Sequence, residues 1–266
     1  MSTETPARAT QPHARGTHGR HGLPTEPGPA DDGDTPASPR HRNAAHPSLV
    51  FCDVDETLIR CKSAVEFLPH YFERHHGPDG ARRAAELLAD LTGRVARGMP
   101  REEANRLYHR AWRGCPVAQV EAEARRWYRQ RSRSAGFYIP ATLAALRSHQ
   151  AEGTPVALVS GSFPPLLSAV AEVLGARYAL GARLERCGPV LTGELIGAPA
   201  IGEGKRTLVR QLLARHPHID PADCWAYGDH PSDLPMLHTV GHAVMVAADG
   251  SHAPVRQPAP TSPVHA

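Results

Sequence analysis

A short apolar segment that ends in two aspartates, Leu49 to Asp55, constrains the fold of this chain more than any other feature. An apolar run of this length with turn-prone sequence on both sides predicts a buried strand of an α/β sheet. Ligands of such sheets bind beyond the carboxyl ends of the strands, so Asp53 and Asp55 are expected at that edge. Two close carboxylates repel each other, and a divalent cation relieves the repulsion. The alternative is a strand that ends in an ordinary polar turn, because Asp-x-Asp alone is a weak motif.

Strand and helix patterns alternate along the rest of the chain. They predict an α/β fold with a Rossmann-like, three-layer parallel sheet and right-handed crossovers. Strands are predicted at 155–160, 224–227 and 242–246, and helices at 140–151, 163–174, 206–215 and 233–238. Residues 178–195 resemble a hairpin around Cys187-Gly188-Pro189. The segment after the first strand has helical patterns only, which predicts an all-helical cap inserted there.

The predicted domain organisation is a core, a cap and two tails. The core comprises residues 47–60 and 136–248, and the cap comprises 61–135. Residues 1–46 are rich in Pro, Gly, Ser, Thr, His and Arg with few large apolar side chains, which predicts a disordered tail. Its histidines could bind metal adventitiously, but a solvated tail is the simpler interpretation. Repeated prolines predict that residues 249–266 form a flexible tail.

Composition argues against several classes of partner. The 30 basic and 27 acidic residues give a formal net charge of +3, and no basic run with interleaved aromatic residues suggests nucleic acid. Five cysteines without a CxxC pair predict reduced thiols and argue against structural zinc. No apolar run approaches the roughly 20 residues that span a bilayer. A cytoplasmic protein without a membrane partner is therefore expected, and the sequence does not set its oligomeric state.

Polar residues also lie at the ends of two further predicted strands and at the start of a predicted helix. Ser160-Gly161-Ser162 follows the second strand, Lys205 opens a helix, and Gly228-Asp229 through Asp233 follows a later strand. In a parallel sheet these residues collect at one edge, where carboxylates hold Mg²⁺ and hydroxyl, backbone N–H and ammonium groups hold phosphate. Taken singly, Ser160 and Asp233 could be helix caps, Lys205 a solvated helix residue and Asp229 a turn residue.

Taken together, these segments resemble the motifs of phosphatases of the haloacid dehalogenase (HAD) superfamily. The resemblance is to the subclass with a helical cap after the first strand, similar to phosphoserine phosphatase, and it covers about residues 48–248. The matching motifs are Asp53-Val54-Asp55-Glu56-Thr57, Val159-Ser160-Gly161-Ser162, Lys205, and Gly228-Asp229 through Asp233-Leu234-Pro235.

The resemblance implies a role for each acidic residue. Asp53 is the nucleophile that forms an aspartyl-phosphate, and Asp55 is the general acid and then the general base. Mg²⁺ would be bound by the Asp53 carboxylate, the Asp55 backbone carbonyl and Asp229. Asp233 would support the metal through water or orient Lys205.

The same resemblance implies a phosphate-binding set. Ser160, Gly161 and Lys205 would hold the phosphoryl oxygens, and Thr57 would add a hydroxyl or backbone contact to the phosphate. His230 lies beside these residues and is interpreted as a turn residue, not a ligand.

Two residues depart from the family pattern. Relatives that cleave phosphoserine carry a glutamate where this chain has Lys62, and that glutamate pairs with the substrate ammonium. A cation at this position would suit a carboxylate, a second phosphate or hydroxyls, so O-phosphoserine is predicted to be a poor substrate, unless Lys62 points into solvent. Glu56 stands where many relatives have a small residue, and it either faces solvent or narrows the entrance.

The sequence therefore predicts a Mg²⁺-dependent phosphatase that hydrolyses a small phosphorylated metabolite, a phosphate monoester, through an aspartyl-phosphate. Two alternatives stay open. One is phosphoryl transfer to an alcohol acceptor, which uses the same intermediate. The other is a non-catalytic binding protein on the same fold. The cap is expected to set specificity by closing over the substrate.

Overall fold

The computed structural model describes residues 47–257, which contain one six-stranded sheet, a separate two-stranded hairpin and seven α-helices. The strands are β1 (Val50–Cys52), β2 (Val156–Ser160), β3 (Tyr178–Gly181), β4 (Arg183–Cys187), β5 (Val190–Ile196), β6 (Trp225–Gly228), β7 (His242–Val246) and β8 (His252–Pro254). The helices are α1 (Ser63–Ala96), α2 (Arg101–Arg110), α3 (Val117–Arg131), α4 (Pro140–Ala151), α5 (Pro164–Leu174), α6 (Glu203–Ala214) and α7 (Leu234–Leu237). No helix between residues 47 and 257 is long and apolar enough to cross a bilayer.

The sheet has the strand order β3-β2-β1-β6-β7-β8, and every neighbouring pair is parallel except β7 and β8. β1 lies inside the sheet, where Phe51 pairs with Ala157 of β2 and with Ala226 of β6. The carboxyl ends of these three strands therefore meet at one edge. This arrangement confirms the predicted α/β fold with a mainly parallel sheet.

Apolar side chains fill both faces of the sheet. Val50 and Cys52 belong to one buried cluster, which also includes residues of α4, α5 and the cap helices. Phe51 belongs to a second cluster on the opposite face, together with residues of α6 and α7. Because successive side chains of a strand alternate, three residues of β1 reach both layers. The result is a sheet with helices on each side, in agreement with the predicted three layers.

Helices α1 to α3 lie within the segment predicted as a cap. α1 is kinked at Gly77, whose φ of 64° lies outside the helical range. The cap packs on the core through aromatic rings: Trp112 stacks on Phe163 of the core at 4.4 Å and on Phe67 at 5.6 Å between centroids. All three rings are fully buried, so they fasten the cap to the core.

The hairpin is shorter than the predicted one, and its first predicted strand belongs to the main sheet. Residues 178–181 form β3 of the main sheet, and only β4 and β5 pair as a hairpin. The hairpin also bonds to the cap segment, since Gly114 N–H donates to Leu191 O (2.8 Å), Leu191 N–H to Cys115 O (3.0 Å) and Val117 N–H to Pro189 O (2.9 Å). The loop between α2 and α3 therefore pairs with the hairpin through backbone hydrogen bonds.

The prediction of a flexible tail at 249–266 is wrong for its first part. Residues 252–254 form β8, and the chain beyond it stays bonded to the core: Val255 N–H donates to Ala243 O (2.9 Å), and Gln257 Nε2 donates to Val240 O (2.7 Å). An edge strand accepts proline, so repeated prolines do not by themselves indicate a flexible segment. Residues 258–266 and the predicted disordered tail at 1–46 lie outside the described residues.

Candidate active site

Asp53 lies directly after β1 and forms a buried charge cluster with Lys205 and Asp233. Lys205, in the first turn of α6, places Nζ 2.7 Å from Asp53 Oδ1 and 2.6 Å from Asp233 Oδ1. All three side chains are almost completely buried. Two carboxylates share one ammonium group, so the cluster as a set lacks one positive charge. Such an imbalance favours a bound cation.

The pKa values of this cluster follow from burial and pairing. Burial raises the pKa of Asp53, because it disfavours the charged carboxylate, and the Lys205 ammonium opposes that rise. Burial alone would lower the pKa of Lys205, but the Asp53 and Asp233 carboxylates raise it above its ordinary value. Lys205 therefore stays charged near neutral pH, as a group that binds an anion must.

Asp229, after β6, completes a set of carboxylates that could hold a metal ion. One oxygen each from Asp53, Asp229 and Asp233 lie within 4.8 Å of one another. Carboxylate oxygens are the ligands that hard cations such as Mg²⁺ prefer, so the donor set fits such an ion. Asp233 is the least available of the three, since Oδ1 bonds Lys205 and Oδ2 accepts the N–H groups of Asp229 (3.2 Å) and His230 (3.1 Å).

The strand end that carries Asp229 needs a glycine. A Cβ atom at Gly228 would lie 2.7 Å from the Cβ of Asp233, closer than side chains pack. Only glycine therefore lets the Asp233 carboxylate fold back under the loop and cap its N–H groups. This close approach is the local reason for the Gly-Asp sequence after β6.

Thr57 has a different partner from the one predicted. Its hydroxyl donates to Asp229 Oδ1 (2.8 Å) and lies 3.4 Å from Asp53 Oδ2, and the side chain is fully buried. The hydroxyl is therefore committed to carboxylates and not directed at a phosphate. Both were possible from the sequence, because a hydroxyl donates to either kind of oxygen.

Asp55 lies two residues after Asp53 and lines the wall of the cleft. Its Oδ1 atom is buried and has no hydrogen-bond partner among the described residues. Burial raises the pKa of Asp55 to about 6, and hydrogen bonding from Ser63 opposes part of the rise. A carboxyl group with this pKa can be protonated or ionised near neutral pH, which suits an acid–base role.

The loop after β2 is held in place by its own polar groups. Ser160 Oγ accepts the Ser162 N–H (2.9 Å), so its own hydroxyl hydrogen remains available to donate. Ser162 Oγ lies 2.8 Å from Ser63 Oγ at the start of α1. The Gly161 carbonyl accepts a hydrogen bond from Asn105 Nδ2 of the cap (3.0 Å). Ser160 and Gly161 line the same cleft as Asp53.

Lys62 lies at the mouth of the cleft and pairs with Glu56. The two charged groups are 3.3 Å apart, and each side chain is about half exposed (55% and 48%). Glu56 has a φ of 64°, the left-handed region that non-glycine residues rarely adopt. Both residues line the cleft while remaining about half exposed to solvent.

Two cap residues at the cleft, Asn105 and Arg101, were not predicted from the sequence. Asn105 bonds the Gly161 carbonyl, and Arg101 Nη1 lies 2.7 Å from His230 Nδ1 and 3.3 Å from Ser232 Oγ. His230 accepts the Ser232 N–H on the same ring nitrogen (3.0 Å), which agrees with its interpretation as a turn residue. Asn and Arg on a polar helix carry no local signal for such contacts, so only the position of the cap identifies them.

Comparison with known proteins places the chain in a hydrolase family. The family model described as haloacid dehalogenase-like hydrolase matches residues 50–238. A probable phosphatase of Mycobacterium tuberculosis is 30% identical over 218 residues, which cover 80% of this chain and 71% of that protein. A protein of the same organism named phosphoserine phosphatase is 31% identical over 210 residues, covering 76% of this chain and 65% of its own length.

Solved structures show the same fold at lower sequence identity. A Bordetella pertussis protein of unknown function superposes with a TM-score of 0.65 at 23% identity, covering 74% of this chain and 88% of that one. A substrate-bound phosphoserine phosphatase superposes with a TM-score of 0.52 at 21% identity, covering 76% of this chain and 85% of that one. At these identities the similarity concerns the fold.

Proposed function

The chain belongs to the haloacid dehalogenase-like hydrolases, and we propose that it is a Mg²⁺-dependent phosphoric monoester hydrolase that acts through an aspartyl-phosphate. The observation that carries the proposal is the position of the Asp53 carboxylate, 2.7 Å from the buried Lys205 ammonium at the floor of a cleft. A carboxylate and a phosphate are both anions, so their approach requires compensating positive charge. Lys205 supplies part of this charge.

The first chemical step uses Asp53 and Asp55. A carboxylate oxygen of Asp53 forms a bond to phosphorus while the bond from phosphorus to the ester oxygen breaks. Asp55, with a pKa of about 6, gives its proton to the departing oxygen, so the alcohol leaves uncharged. The unpartnered Oδ1 of Asp55 supports this role, because a substrate oxygen would be its hydrogen-bond partner.

The second step regenerates the enzyme. Asp55, now ionised, takes a proton from a water molecule whose oxygen attacks phosphorus. The bond between phosphorus and Asp53 breaks, and inorganic phosphate is released. Ser160, with a free hydroxyl hydrogen, and the backbone at Gly161 would hold the phosphoryl oxygens during both steps, together with Lys205.

The carboxylates of Asp53 and Asp229 and the backbone carbonyl of Asp55 would bind Mg²⁺. A bound Mg²⁺ supplies positive charge that offsets the repulsion between the phosphate and the Asp53 carboxylate. Asp233 is a positioning residue for Lys205 and for the N–H groups of the loop. Thr57, predicted to bind phosphate, would instead orient Asp229 through its hydroxyl.

The substrate is proposed to be a small phosphorylated metabolite other than phosphoserine. Some relatives are named phosphoserine phosphatase. The family resemblance, however, implies that Lys62 stands at the position where phosphoserine-cleaving relatives have a glutamate. The Lys62 ammonium is paired with the Glu56 carboxylate, and both side chains line the cleft. No carboxylate is left at that position to bind a substrate ammonium.

Hydrolysis of p-nitrophenyl phosphate with and without Mg²⁺ tests the proposal. We expect release of phosphate with Mg²⁺, loss of release after chelation and recovery when Mg²⁺ is restored. Asp229→Asn should raise the Mg²⁺ concentration for half-maximal rate roughly ten-fold or more, whereas Asp249→Asn, on an exposed turn, should not. Mass analysis of acid-quenched protein should find one phosphoryl group on the peptide that contains Asp53. Full activity without a divalent ion would contradict the metal role, and absence of any release would favour the binding-protein alternative.

A further inference from the structure

The cap wall of the cleft is built from one face of each of two helices. On α1, the residues facing the cleft follow the spacing i, i+3, i+4, i+7: Leu88, Leu91, Thr92 and Val95. Residues with this spacing share one helix face. α2 contributes Arg101, Ala104, Asn105 and Tyr108 from a face with the same spacing. The α1 part of the wall is therefore mainly aliphatic, and α2 adds two polar side chains to it.

Most polar groups on this wall are already bonded within the protein, and the exception among the described residues is the buried Asn105 Oδ1, which has no hydrogen-bond partner. Thr92 Oγ1 donates to the Leu88 carbonyl (2.8 Å), and Tyr108 OH donates to the Ala64 carbonyl (2.9 Å). Asn105 Nδ2 donates to Gly161 O (3.0 Å). These contacts commit the donors, so the wall offers a ligand hydrocarbon contact and one free acceptor, Asn105 Oδ1.

One apolar side chain stands at the mouth without cover. Val65, in the first turn of α1, is 44% exposed and lines the cleft. Lys62 and Glu56 beside it are paired with each other, so each of these two charges is already partly neutralised. The cleft has a volume of about 320 Å³, which is at the lower end of the usual range for small-molecule pockets and exceeds what a phosphate group alone requires.

We propose that the alcohol part of the substrate is predominantly hydrocarbon, and that the cleft selects a phosphate monoester of an apolar alcohol. This inference rests on the proposed phosphatase function. The phosphate would lie against Asp53 and Lys205, and the hydrocarbon would cover Val65 and the α1 face that includes Leu88. Each methylene group moved from water into this wall should raise kcat/KM about four-fold, until the cleft is full.

A series of straight-chain alkyl phosphates tests this inference on the full-length protein with Mg²⁺. Ethyl, butyl, hexyl and octyl phosphate are compared below their micelle-forming concentrations, with O-phosphoserine as the polar reference. We expect kcat/KM to rise roughly ten-fold or more between successive members at the short end of the series. O-phosphoserine should be hydrolysed no faster than ethyl phosphate.

Two matched variants separate the wall from a general surface effect. Val65→Asn should reduce the ratio of kcat/KM for hexyl over ethyl phosphate about five-fold or more. Val173→Asn is the control, because Val173 is 46% exposed on α5 and lies away from the cleft. Leu88→Gln provides a second test at a partly exposed position of α1 if the first variant fails to fold.

The outcomes distinguish the two levels of the proposal. Phosphate release that is flat or falls with chain length overturns the apolar-alcohol inference and leaves the phosphatase function standing. An equal change in the hexyl-to-ethyl ratio for Val65→Asn and Val173→Asn also overturns it. No release from any ester, including p-nitrophenyl phosphate, overturns the phosphatase function and with it the inference.

Discussion

The core wall and the cap wall of the cleft differ in how many charged side chains they contain. On the core wall, Asp53, Lys205 and Asp233 are buried with their charges in direct contact. On the cap wall, the cleft-facing positions of α1 are mostly apolar, and Thr92 bonds its own helix backbone. The core wall holds buried charges in a low-dielectric setting, whereas the α1 face from Leu88 to Val95 presents no charged side chain to the cleft.

This difference reflects the elements that build each wall. The charged groups follow strands β1 and β6 or open helix α6, and their backbones are fixed by the parallel sheet and the loop capped by Asp233. The cap wall consists of helix faces, on which a side chain can change without moving the backbone. We therefore expect substitutions on the core wall to abolish chemistry and those on the cap wall to alter which alcohol is accepted.

Asp53→Asn tests the core wall most directly. An amide cannot form the acyl phosphate, so kcat for p-nitrophenyl phosphate should fall by about 10⁴-fold or more. Asp79→Asn, at a side chain that is 82% exposed on the cap, is the control and should leave kcat unchanged. Retention of more than a hundredth of the wild-type kcat in Asp53→Asn would show that another group attacks phosphorus.

Lys205→Met tests whether the buried charges depend on one another. Without the ammonium, Asp53 and Asp233 face each other with no cation, so the protein should lose about 3–5 kcal/mol of unfolding free energy in metal-free urea titrations. Lys62→Met removes a half-exposed lysine of the pair with Glu56 and should cost less than about 1 kcal/mol. Equal losses for both lysines would contradict the contrast between the walls.

His109→Phe tests a polar group buried behind the cap wall. His109 is fully buried, stacks on Phe163 at 6.0 Å, and neither ring nitrogen has a partner among the described residues. Removing the unpaired nitrogens should stabilise the protein by about 1–2 kcal/mol at pH 7. His149→Phe, which removes a hydrogen bond to Tyr227 OH, should destabilise it.

The same variant should change the pH dependence of stability. Burial lowers the pKa of His109 to about 4, below its unfolded value near 6.5, so the unfolded chain binds more protons between these pH values. The free energy of unfolding is therefore highest above pH 6.5, where His109 is neutral in both states. It decreases by roughly 3 kcal/mol as the pH falls towards 4. His109→Phe should remove this part of the slope in urea titrations at pH 7, 6 and 5. An unchanged slope would show that His109 is accessible to protons in the folded state.

Glu56→Gly should give the smallest effect. Glycine adopts the φ of 64° without strain, so the substitution should stabilise the fold by about 0.5–1 kcal/mol after loss of the exposed ion pair with Lys62. Glu56→Gln keeps the strained backbone and removes the charge, and it should not stabilise. A gain with glutamine as large as that with glycine would assign the effect to charge and not to the backbone.

The strand ends could be predicted from the sequence because their signals are local. An apolar run that stops at Asp53, and another that stops at Ser160, place both residues at one edge once the sheet is parallel. Thr57 could not be assigned, since the choice of its hydroxyl between phosphate and Asp229 depends on a residue 172 positions away. β8 was missed because its edge position, which tolerates Pro254, is set by pairing with β7 and not by composition.

The cap wall was the least predictable part of the site. Leu88, Leu91 and Val95 give the same helical pattern whether they face a core or a ligand, so the pattern alone does not distinguish the two. Asn105 and Arg101 had no local signal either. What separates these possibilities is the position of the cap above the cleft, which arises from the Trp112–Phe163 stack between distant parts of the chain.

The hydrogen bonds between the β4–β5 hairpin and the cap segment limit how the cap can be exchanged between members of the family. Residues 114–117 and 189–191 are joined by three backbone hydrogen bonds, although the hairpin is encoded far downstream of the helices. A graft of residues 61–135 alone onto a foreign scaffold would leave those backbone groups unmatched. The transplantable unit is therefore discontinuous and includes residues 183–196, so recombination that swaps cap helices without this hairpin should yield poorly folded chimaeras.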